Sequence, residues 1–239
     1  MTEKKIIGLD IGGTHISAVV LNTKNRIIKK TVINTPKTES AFIKVLRTLV
    51  LRLDRKSKKI GIGIAGIVYG TTLNRGPNIH FLKKFDFLRV FPRPFKISID
   101  NDARVFLESE WLAGKINKNK KVMGFTIGTG IGRAFGQRGK IIKIKNLEYP
   151  EKWEKEYQRV RDSKNTLKLA IYLAKKLSVI IKHYNPQIII LGGGVVIGRK
   201  QKFLVPFKKE LKKIGIKSEI KKTKFGSVAG AIGSALLVK

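Results

Sequence analysis

The 239-residue chain is 42% hydrophobic and 28% charged, which provides enough apolar content for one large domain or two smaller ones. The lack of cysteine excludes a disulfide framework and a thiolate metal site, and no apolar run approaches the roughly 18 residues of a membrane span, so we expect a cytoplasmic protein without membrane attachment. The 51 Lys and Arg against 16 Asp and Glu give a formal net charge of +35, which attracts polyanions non-specifically, but these charges are spread along the chain without a nucleic-acid reader motif.

Strands and helices alternate through the first half of the chain. The runs KKIIGLDIGG, THISAVVLN and RIIKKTVIN predict three strands, the last two joined in an antiparallel hairpin. TESAFIKVLRTLVLRLDRK has apolar residues at helical spacing, with Ser40 available as the N-cap. KIGIGIAGIV and KISID predict two further strands, and NDARVFLESEWLAG predicts a helix that ends at Gly114. The long polar and aromatic connection over residues 69–94 is of a kind that tends to be functional.

The pattern then begins again. KVMGFTIGTGIGRAFGQRGKIIKIK predicts strand, turn, strand, turn and strand, and its FTIGTGIGR overlays LDIGGTHIS of the opening segment. A helix in TLKLAIYLAKKLSVIIKHY, a strand in PQIIILGGG, a basic helix in KFLVPFKKELKKIG, a strand in IKSEIKK and a small-residue helix in SVAGAIGSALLV follow. We infer an internal duplication and an α/β fold with mixed sheets flanked by helices, in two lobes, 1–105 and 106–239, with the last helix able to pack back on the first lobe.

Three glycine clusters, DIGGTH, TIGTGIG and ILGGG, each follow directly after an apolar strand. Backbone N–H groups in such turns can approach a phosphate closely because no Cβ stands in the way, and the hydroxyl of Thr14 or Thr129 adds a donor. A single cluster serves equally well as a tight turn, whereas three at strand ends in two related lobes favour phosphate binding. None of them matches the Walker pattern.

Acidic residues are scarce, and three of them lie at strand ends. Asp10 closes the first strand, and ISIDNDAR closes another with Asp100 and Asp102 on either side of Asn101. Helix capping could account for one of these polar residues but not for the whole set. Beside phosphate-binding turns, an ionised Asp can hold Mg²⁺, and a second can accept a proton from an attacking hydroxyl. We expect lone carboxylates to stay ionised in so positive a field.

The ordered motifs GLDIGGTHISAVV, GIGIAGIV, IDNDARVFLESEWLAG, FTIGTGIGRAFGQRGKI, PQIIILGGGVV and AGAIGSALL resemble the ROK family of sugar kinases and related repressors, within the actin-like ATPase superfamily. The resemblance extends over nearly the whole chain. It implies two ribonuclease-H-like lobes with an interlobe cleft, the use of ATP and Mg²⁺, and phosphorylation of a hydroxyl of a hexose or amino sugar, as in a glucokinase. It also implies a homodimer.

The matching positions imply roles for individual residues. Asp102 matches the catalytic base, and Asp10 matches the aspartate beside the metal and the phosphates. Asn101 and Asn78 match asparagines that bind the sugar, and Gly66 lies where the backbone lines the sugar pocket. The remaining nucleotide-binding positions are Gly12, Gly13 and Thr14 in the first phosphate turn, Gly128, Thr129 and Gly130 in the second phosphate turn, and Gly193 and Gly194 in the adenosine motif.

One region departs from the family pattern. Where most members carry a Gly-Glu-x-Gly-His segment and a cysteine-rich zinc loop, this chain has IKNLEYPEKWEKEYQRVRDSKNT. Glu148 is the candidate for the sugar-binding glutamate, but no histidine follows it and no cysteine exists, so we expect no zinc. The loss keeps open a second hypothesis, a non-catalytic ROK-like protein that binds nucleotide, or a polyanion such as nucleic acid, through its basic surface. Retention of Asp102 favours the kinase.

Overall fold

The computed structural model describes residues 5–238, apart from the side chain of Glu148. This chain divides into two compact units. The first runs through Ser109 and resumes at Val228, and the second comprises Glu110–Ser227. The first unit thus ends four residues after the predicted lobe boundary at residue 105, just past the α-helical residues that follow the strand KISIDN.

The elements below are numbered in chain order. The strands are Ile6–Ile11 (β1), His15–Leu21 (β2), Ile27–Asn34 (β3), Lys59–Ile64 (β4), Ile67–Tyr69 (β5), Thr72–Arg75 (β6), Lys83–Asp86 (β7), Lys96–Asn101 (β8), Val122–Ile127 (β9), Ile131–Gln137 (β10), Lys140–Ile142 (β11), Ile188–Gly192 (β12) and Glu219–Lys222 (β13). The helices are Glu39–Leu53 (α1), Asp102–Glu108 (α2), Lys145–Glu148 (α3), Glu154–Asp162 (α4), Thr166–Tyr184 (α5), Gly194–Lys213 (α6) and Ala229–Leu236 (α7).

The first unit is built on a five-stranded mixed sheet with the order β3-β2-β1-β4-β8. Strands β1, β4 and β8 are parallel neighbours, and their register places Asp10 opposite Gly63 and Gly63 opposite Asp100. The side chains of β1 and β4 are almost entirely buried, as expected for central strands covered on both faces. The parallel register brings the carboxyl ends of β1, β4 and β8 to one edge, together with the acidic residues that follow them.

Helix α1 shows the predicted apolar periodicity, and it buries Phe42, Leu46 and Val50 in the core of the first unit. Its N-cap is Thr38 and not Ser40, because the Thr38 hydroxyl accepts a hydrogen bond from the Ala41 amide at 3.4 Å. The prediction for Ser40 was therefore wrong by two residues. The helix begins earlier than the hydrophobic pattern alone indicated.

The connection over residues 69–94 is more structured than its composition indicated. Strands β5, β6 and β7 form a separate three-stranded antiparallel sheet. Phe85 from β7 packs edge to face on Phe42, with ring centroids 5.9 Å apart, so the connection contributes to the core. The helix predicted to end at Gly114 is α-helical only as far as Glu108 and continues as a π-helical turn over Ser109–Ala113.

Helix α7 packs on the sheet of the first unit through small residues. A Cβ built on Gly61 of β4 would lie 1.7 Å from the carbonyl oxygen of Ser234, so only glycine allows the helix backbone to approach this strand. The run AGAIGSAL is consequently buried along its whole length. Among the helices within residues 5–238, none has the length and apolar character that crossing a bilayer requires.

The second unit repeats the topology of the first. Its sheet has the order β11-β10-β9-β12-β13, with antiparallel pairing on the β10 side of β9 and parallel pairing on the β12 side. The repeated sequence pattern predicts this correspondence. Helices α5 and α6 bury apolar residues such as Leu173 and Phe207 in its core. Helix α6 begins directly after Gly193, eight residues before the predicted basic helix at Lys202, and Lys200 interrupts it with a non-helical conformation.

Candidate active site

Two carboxylates meet at the carboxyl edge of the first sheet. Asp10 is the penultimate residue of β1, and Asp102 is the first residue of α2, immediately after β8. Burial raises the pKa of Asp10 to about 8, and the neighbouring charge of Asp102 adds to this effect. Burial also raises the pKa of Asp102, while its amide hydrogen bonds and the positive charge of Arg104 act in the opposite direction. The two acids therefore share one electrostatic environment.

The pKa of Asp10, about 8, contradicts the expectation that this carboxylate stays ionised in the positive field of the chain. Local desolvation and repulsion between the two acids act at short range, whereas the charges of exposed lysines are screened by water and salt. The two side chains keep partial contact with solvent, so water still reduces the effect. A positive ligand placed between two such acids would favour their ionised forms.

Gly230 is part of this site, although the residue-by-residue comparison of motifs did not assign it a role. A Cβ built on Gly230 would lie 2.1 Å from Oδ2 of Asp10. The carboxyl group of Asp10 therefore rests against the first turn of α7, where the helix dipole favours negative charge. The motif AGAIGSALL contained the signal, but the position of its partner could not be read from the sequence.

Asn101 joins two strand ends. Its Oδ1 accepts a hydrogen bond from the Ala103 amide at 3.0 Å, and its Nδ2 donates to the Gly66 carbonyl at 3.1 Å. Asn101 is thus the N-cap of α2, which accounts for one of the three polar residues in the way that capping predicted. The same side chain brings Gly66, after β4, next to the start of α2. Gly66 has φ +145°, and a Cβ there would meet the Arg75 carbonyl oxygen at 2.2 Å.

The first phosphate turn touches the connection that carries Asn78. A Cβ built on Gly13 would lie 2.6 Å from the Asn78 carbonyl oxygen, so these two predicted site residues are in contact. The turn is held from behind by Thr35, whose hydroxyl donates to the Gly12 carbonyl at 2.7 Å and whose amide donates to the Thr14 carbonyl at 2.9 Å. The structure thus brings Gly12, Gly13 and Asn78 together.

Asp100 has a different role from its neighbours. Nε of Arg104 donates to Oδ1 of Asp100 at 2.8 Å, and a second guanidinium nitrogen also contacts this oxygen. Arg104 is only 5% exposed, so Asp100 and Arg104, four residues apart in the chain, form a buried ion pair. Asp100 therefore holds Arg104 near Asp102, a function that its place in the sequence did not indicate.

In the second unit, the turn after β9 is closed by a hydrogen bond from the Gly128 amide to the Gly130 carbonyl at 3.0 Å. Gly193 has φ +88° and packs on this strand, since a Cβ there would lie 2.4 Å from the Ile127 carbonyl oxygen. Gly194 then begins α6. The second phosphate turn and the adenosine motif are therefore adjacent within one unit.

A cavity of about 620 Å³ opens beside this pair of glycine segments. Its lining combines basic side chains with the bare backbone of two glycines and consists of Arg161, Asp162, Lys164, Gly194, Val195, Gly198 and Arg199. Arg161 and Lys164 lie at the end of α4 and just after it, and Arg199 lies in α6; the sequence analysis gave none of them a role. This cavity has the size and charge to take a phosphorylated small molecule.

Comparison with known proteins identifies the family. The model of the ROK family matches residues 6–146, which is more than half of the chain. The chain belongs to the ROK family. The matched range contains every predicted site residue except Glu148, Gly193 and Gly194.

Individual ROK relatives match only about half of this chain, at about 30% sequence identity. The chain is 30% identical over 131 residues to a glucokinase of Streptomyces coelicolor, covering 53% of this chain and 41% of that protein. It is 31% identical over 141 residues to an N-acetyl-D-glucosamine kinase of Haemophilus influenzae, covering 56% and 46%. The chain thus spans less than half the length of these curated relatives.

A solved structure confirms the fold over the whole chain. The ROK family glucokinase from Streptomyces griseus, in complex with glucose and AMPPNP, superimposes with a TM-score of 0.81 at 20% identity, covering 98% of this chain and 99% of that one. The predicted two-lobe, actin-like α/β fold is therefore confirmed.

The region in which this chain departs from the ROK pattern forms α3 and α4. Glu148 is the last residue of α3, and its side chain lies outside the described part of the structure. Among the His, Asp and Glu side chains that the structure describes, no group of three or more could hold a metal ion. The pair Asp10 and Asp102 suits Mg²⁺ instead, because this ion is usually bound by one or two carboxylates together with substrate phosphates.

Proposed function

We propose that this ROK protein is an ATP-dependent kinase that phosphorylates a hydroxyl of a hexose or amino sugar. The observation that carries the proposal is the pairing of Asp10 and Asp102 at one sheet edge, beside the Asn101–Gly66 and Gly13–Asn78 contacts. The names of the relatives support it, since one is a glucokinase and another an N-acetyl-D-glucosamine kinase.

Asp102 would act as the general base. A carboxylate whose pKa is raised toward the working pH is a better proton acceptor than an ordinary one. The positive charge of Arg104 limits this rise and so favours the ionised, proton-accepting form of Asp102. The sugar would be oriented by Asn78, by the remaining amide N–H of Asn101 and by the backbone at Gly66, with Glu148 as a further candidate ligand. Such positioning supplies much of the rate enhancement in phosphoryl transfer.

Asp10 would hold Mg²⁺ directly or through water. Its carboxylate oxygens are the hard ligands that this ion prefers, and its repulsion with Asp102 would be relieved by a divalent cation. When bound, Mg²⁺ would supply positive charge to the phosphates of ATP. Gly12, Gly13 and Thr14 would contribute backbone and hydroxyl donors to the same phosphates.

The second unit would bind the nucleotide. Gly128, Thr129 and Gly130 would contact phosphate, and Gly193 and Gly194 would contact adenosine. A Cβ built on Gly128 or on Gly194 meets no atom within 4 Å, and neither residue has the left-handed backbone that requires glycine. Packing and conformation therefore do not explain these glycines, whereas close approach of a ligand does.

The experiment measures ADP release with Mg-ATP and a panel of hexoses and N-acetylated sugars. We expect sugar-dependent turnover in the wild type, a loss of roughly 10²–10⁴-fold in Asp102→Asn, and no loss in Glu219→Gln, which removes an exposed acid on β13. Absence of sugar-dependent turnover with every sugar would refute the proposal. Steeply salt-sensitive binding to DNA by the same protein would then favour the polyanion-binding hypothesis.

A further inference from the structure

Two side chains of α4 contact the second phosphate turn. The hydroxyl of Tyr157 donates to the Gly128 carbonyl at 2.5 Å. Nη1 of Arg161 donates to the Thr129 carbonyl at 2.7 Å and to the Gly128 carbonyl at 3.2 Å. Both carbonyl groups of the turn are therefore held on the side that faces α4.

These contacts also determine the direction of the amide groups in the turn, because each peptide group is planar. In a trans peptide the C=O of one residue and the N–H of the next point in opposite directions. With the carbonyls of Gly128 and Thr129 directed at Arg161, the amides of Thr129 and Gly130 are directed to the opposite side of the turn. Two successive amides oriented in one direction form the kind of donor pair that binds a phosphate oxygen.

Arg161 is itself fixed by its neighbours. Its Nε and Nη2 donate to the two carboxylate oxygens of Asp162 at 2.8 and 3.2 Å. Its own carbonyl accepts a hydrogen bond from Nη2 of Arg199 at 2.7 Å, and Nη1 of Arg199 contacts the Thr166 hydroxyl at 3.3 Å. Each nitrogen of the Arg161 guanidinium thus already donates to an oxygen of the protein. This suits a residue that holds the turn in place better than one that binds a phosphate directly.

The hydroxyl of Tyr157 stays protonated, as its hydrogen bond to the Gly128 carbonyl requires. Its ring is fully buried, and burial raises the pKa of its hydroxyl to about 12, while Arg161 acts in the opposite direction. The hydroxyl therefore keeps its proton at neutral pH. Removing only this oxygen leaves the buried ring in place.

We propose that Tyr157 and Arg161 are positioning residues for the phosphoryl donor, orienting the amides of Thr129 and Gly130 toward the phosphates of a nucleoside triphosphate. The inference rests on the proposed function for the identity of the donor. Neither Tyr157 nor Arg161 belongs to a recognised motif of the sequence.

The test measures the affinity of the full-length protein for AMPPNP and for adenosine by calorimetry. We expect Tyr157→Phe to weaken AMPPNP binding about tenfold and Arg161→Lys to weaken it roughly 10–50-fold, because lysine keeps the charge but cannot contact both carbonyls as a fork. Adenosine affinity should be unchanged in both. Arg159→Ala, which removes an exposed arginine of the same helix, should change neither.

The other possible outcomes test the inference and the proposed function separately. Equal AMPPNP affinity in the wild type, Tyr157→Phe and Arg161→Lys would overturn the inference, and so would an equal loss of AMPPNP and adenosine affinity. Absence of AMPPNP binding by the wild type would overturn both the inference and the donor in the proposed function. AMPPNP binding that depends on Arg161, without sugar-dependent turnover, would support the inference and refute only the kinase. If Arg161→Lys does not fold, Tyr157→Phe carries the test.

Discussion

Replacing Asp10 by Asn should change how the stability of the first unit depends on pH. The folded-state pKa of Asp10 is raised from 3.8 to about 8, so between these values the folded chain holds a proton that the unfolded chain has lost. The free energy of unfolding therefore falls as the pH rises through this window, by at most about 1.4 kcal/mol per pH unit for one proton. Asparagine cannot ionise and removes this contribution.

The size of this change in the free energy of unfolding follows from the same two pKa values of Asp10. Between pH 5 and pH 7 the full effect would be about 2.7 kcal/mol, and the partial exposure of Asp10 to water reduces our expectation to about 1–2 kcal/mol. Asp10→Asn should thus gain stability relative to the wild type as the pH rises from 5 to 8. Because Asp102 is coupled to Asp10, its own titration will also shift in the variant.

Urea denaturation at pH 5, 6, 7 and 8, without divalent cations, measures this dependence. Far-ultraviolet circular dichroism reports on both units, whereas Trp111 and Trp153 both lie in the second unit, so their fluorescence follows that unit separately. Asp54→Asn is the matched control, because Asp54 has a lowered pKa despite the opposing effect of burial, owing to hydrogen bonds with the Lys56 amide and Lys5. Its ionisation lies below the window, so its curve should stay parallel to that of the wild type. A parallel curve for Asp10→Asn would refute the reasoning.

Three further predictions concern single positions. Gly128→Ala should leave the melting temperature unchanged but raise the KM for ATP about tenfold, because its new methyl group meets no protein atom; an unchanged KM would show that no ligand approaches this turn. Gly61→Ala should lower the free energy of unfolding by about 3 kcal/mol or more, since its Cβ would lie 1.7 Å from the Ser234 carbonyl, whereas Gly198→Ala, with open space around it, should not destabilise the protein in the same denaturation assay. Thr38→Ala should cost about 1 kcal/mol in the same measurement and Ser40→Ala much less, and the reverse order would restore Ser40 as the N-cap.

The sequence by itself predicted the order of the elements and most of their types. A continuous apolar run marks a strand buried on both faces, such as β1, and a period of 3.6 residues marks a helix that buries one face, such as α5. The repeated strand and glycine pattern predicted two sheets of the same topology, and both sheets have it. The ordered motifs were also sufficient to predict the ROK family. Such signals are local, so they survive in the bare chain.

Other features were missed, some because their local signal is weak and others because they depend on contacts between residues far apart in the chain. The cap at Thr38 and the sheet formed by β5–β7 were missed because short polar segments carry little periodicity. The prediction that Asp10 stays ionised was wrong because its pKa is raised by burial, to which Gly230 contributes, and by the charge of Asp102, and both residues lie more than 90 positions away along the chain. The roles of Tyr157 and Arg161 are still proposals, and they rest on contacts with a turn that lies in another element.

One physical reason separates the features that the sequence predicted from those that only the tertiary structure decided. Periodicity and turn chemistry are properties of neighbouring residues, and the chain carries them before it folds. The pKa of Asp10, the orientation of the amides after Gly128 and the approach of α7 to Gly61 are properties of space that several elements enclose together. Only the packing of the sheets and helices brings those elements into contact, so only the tertiary structure could decide them.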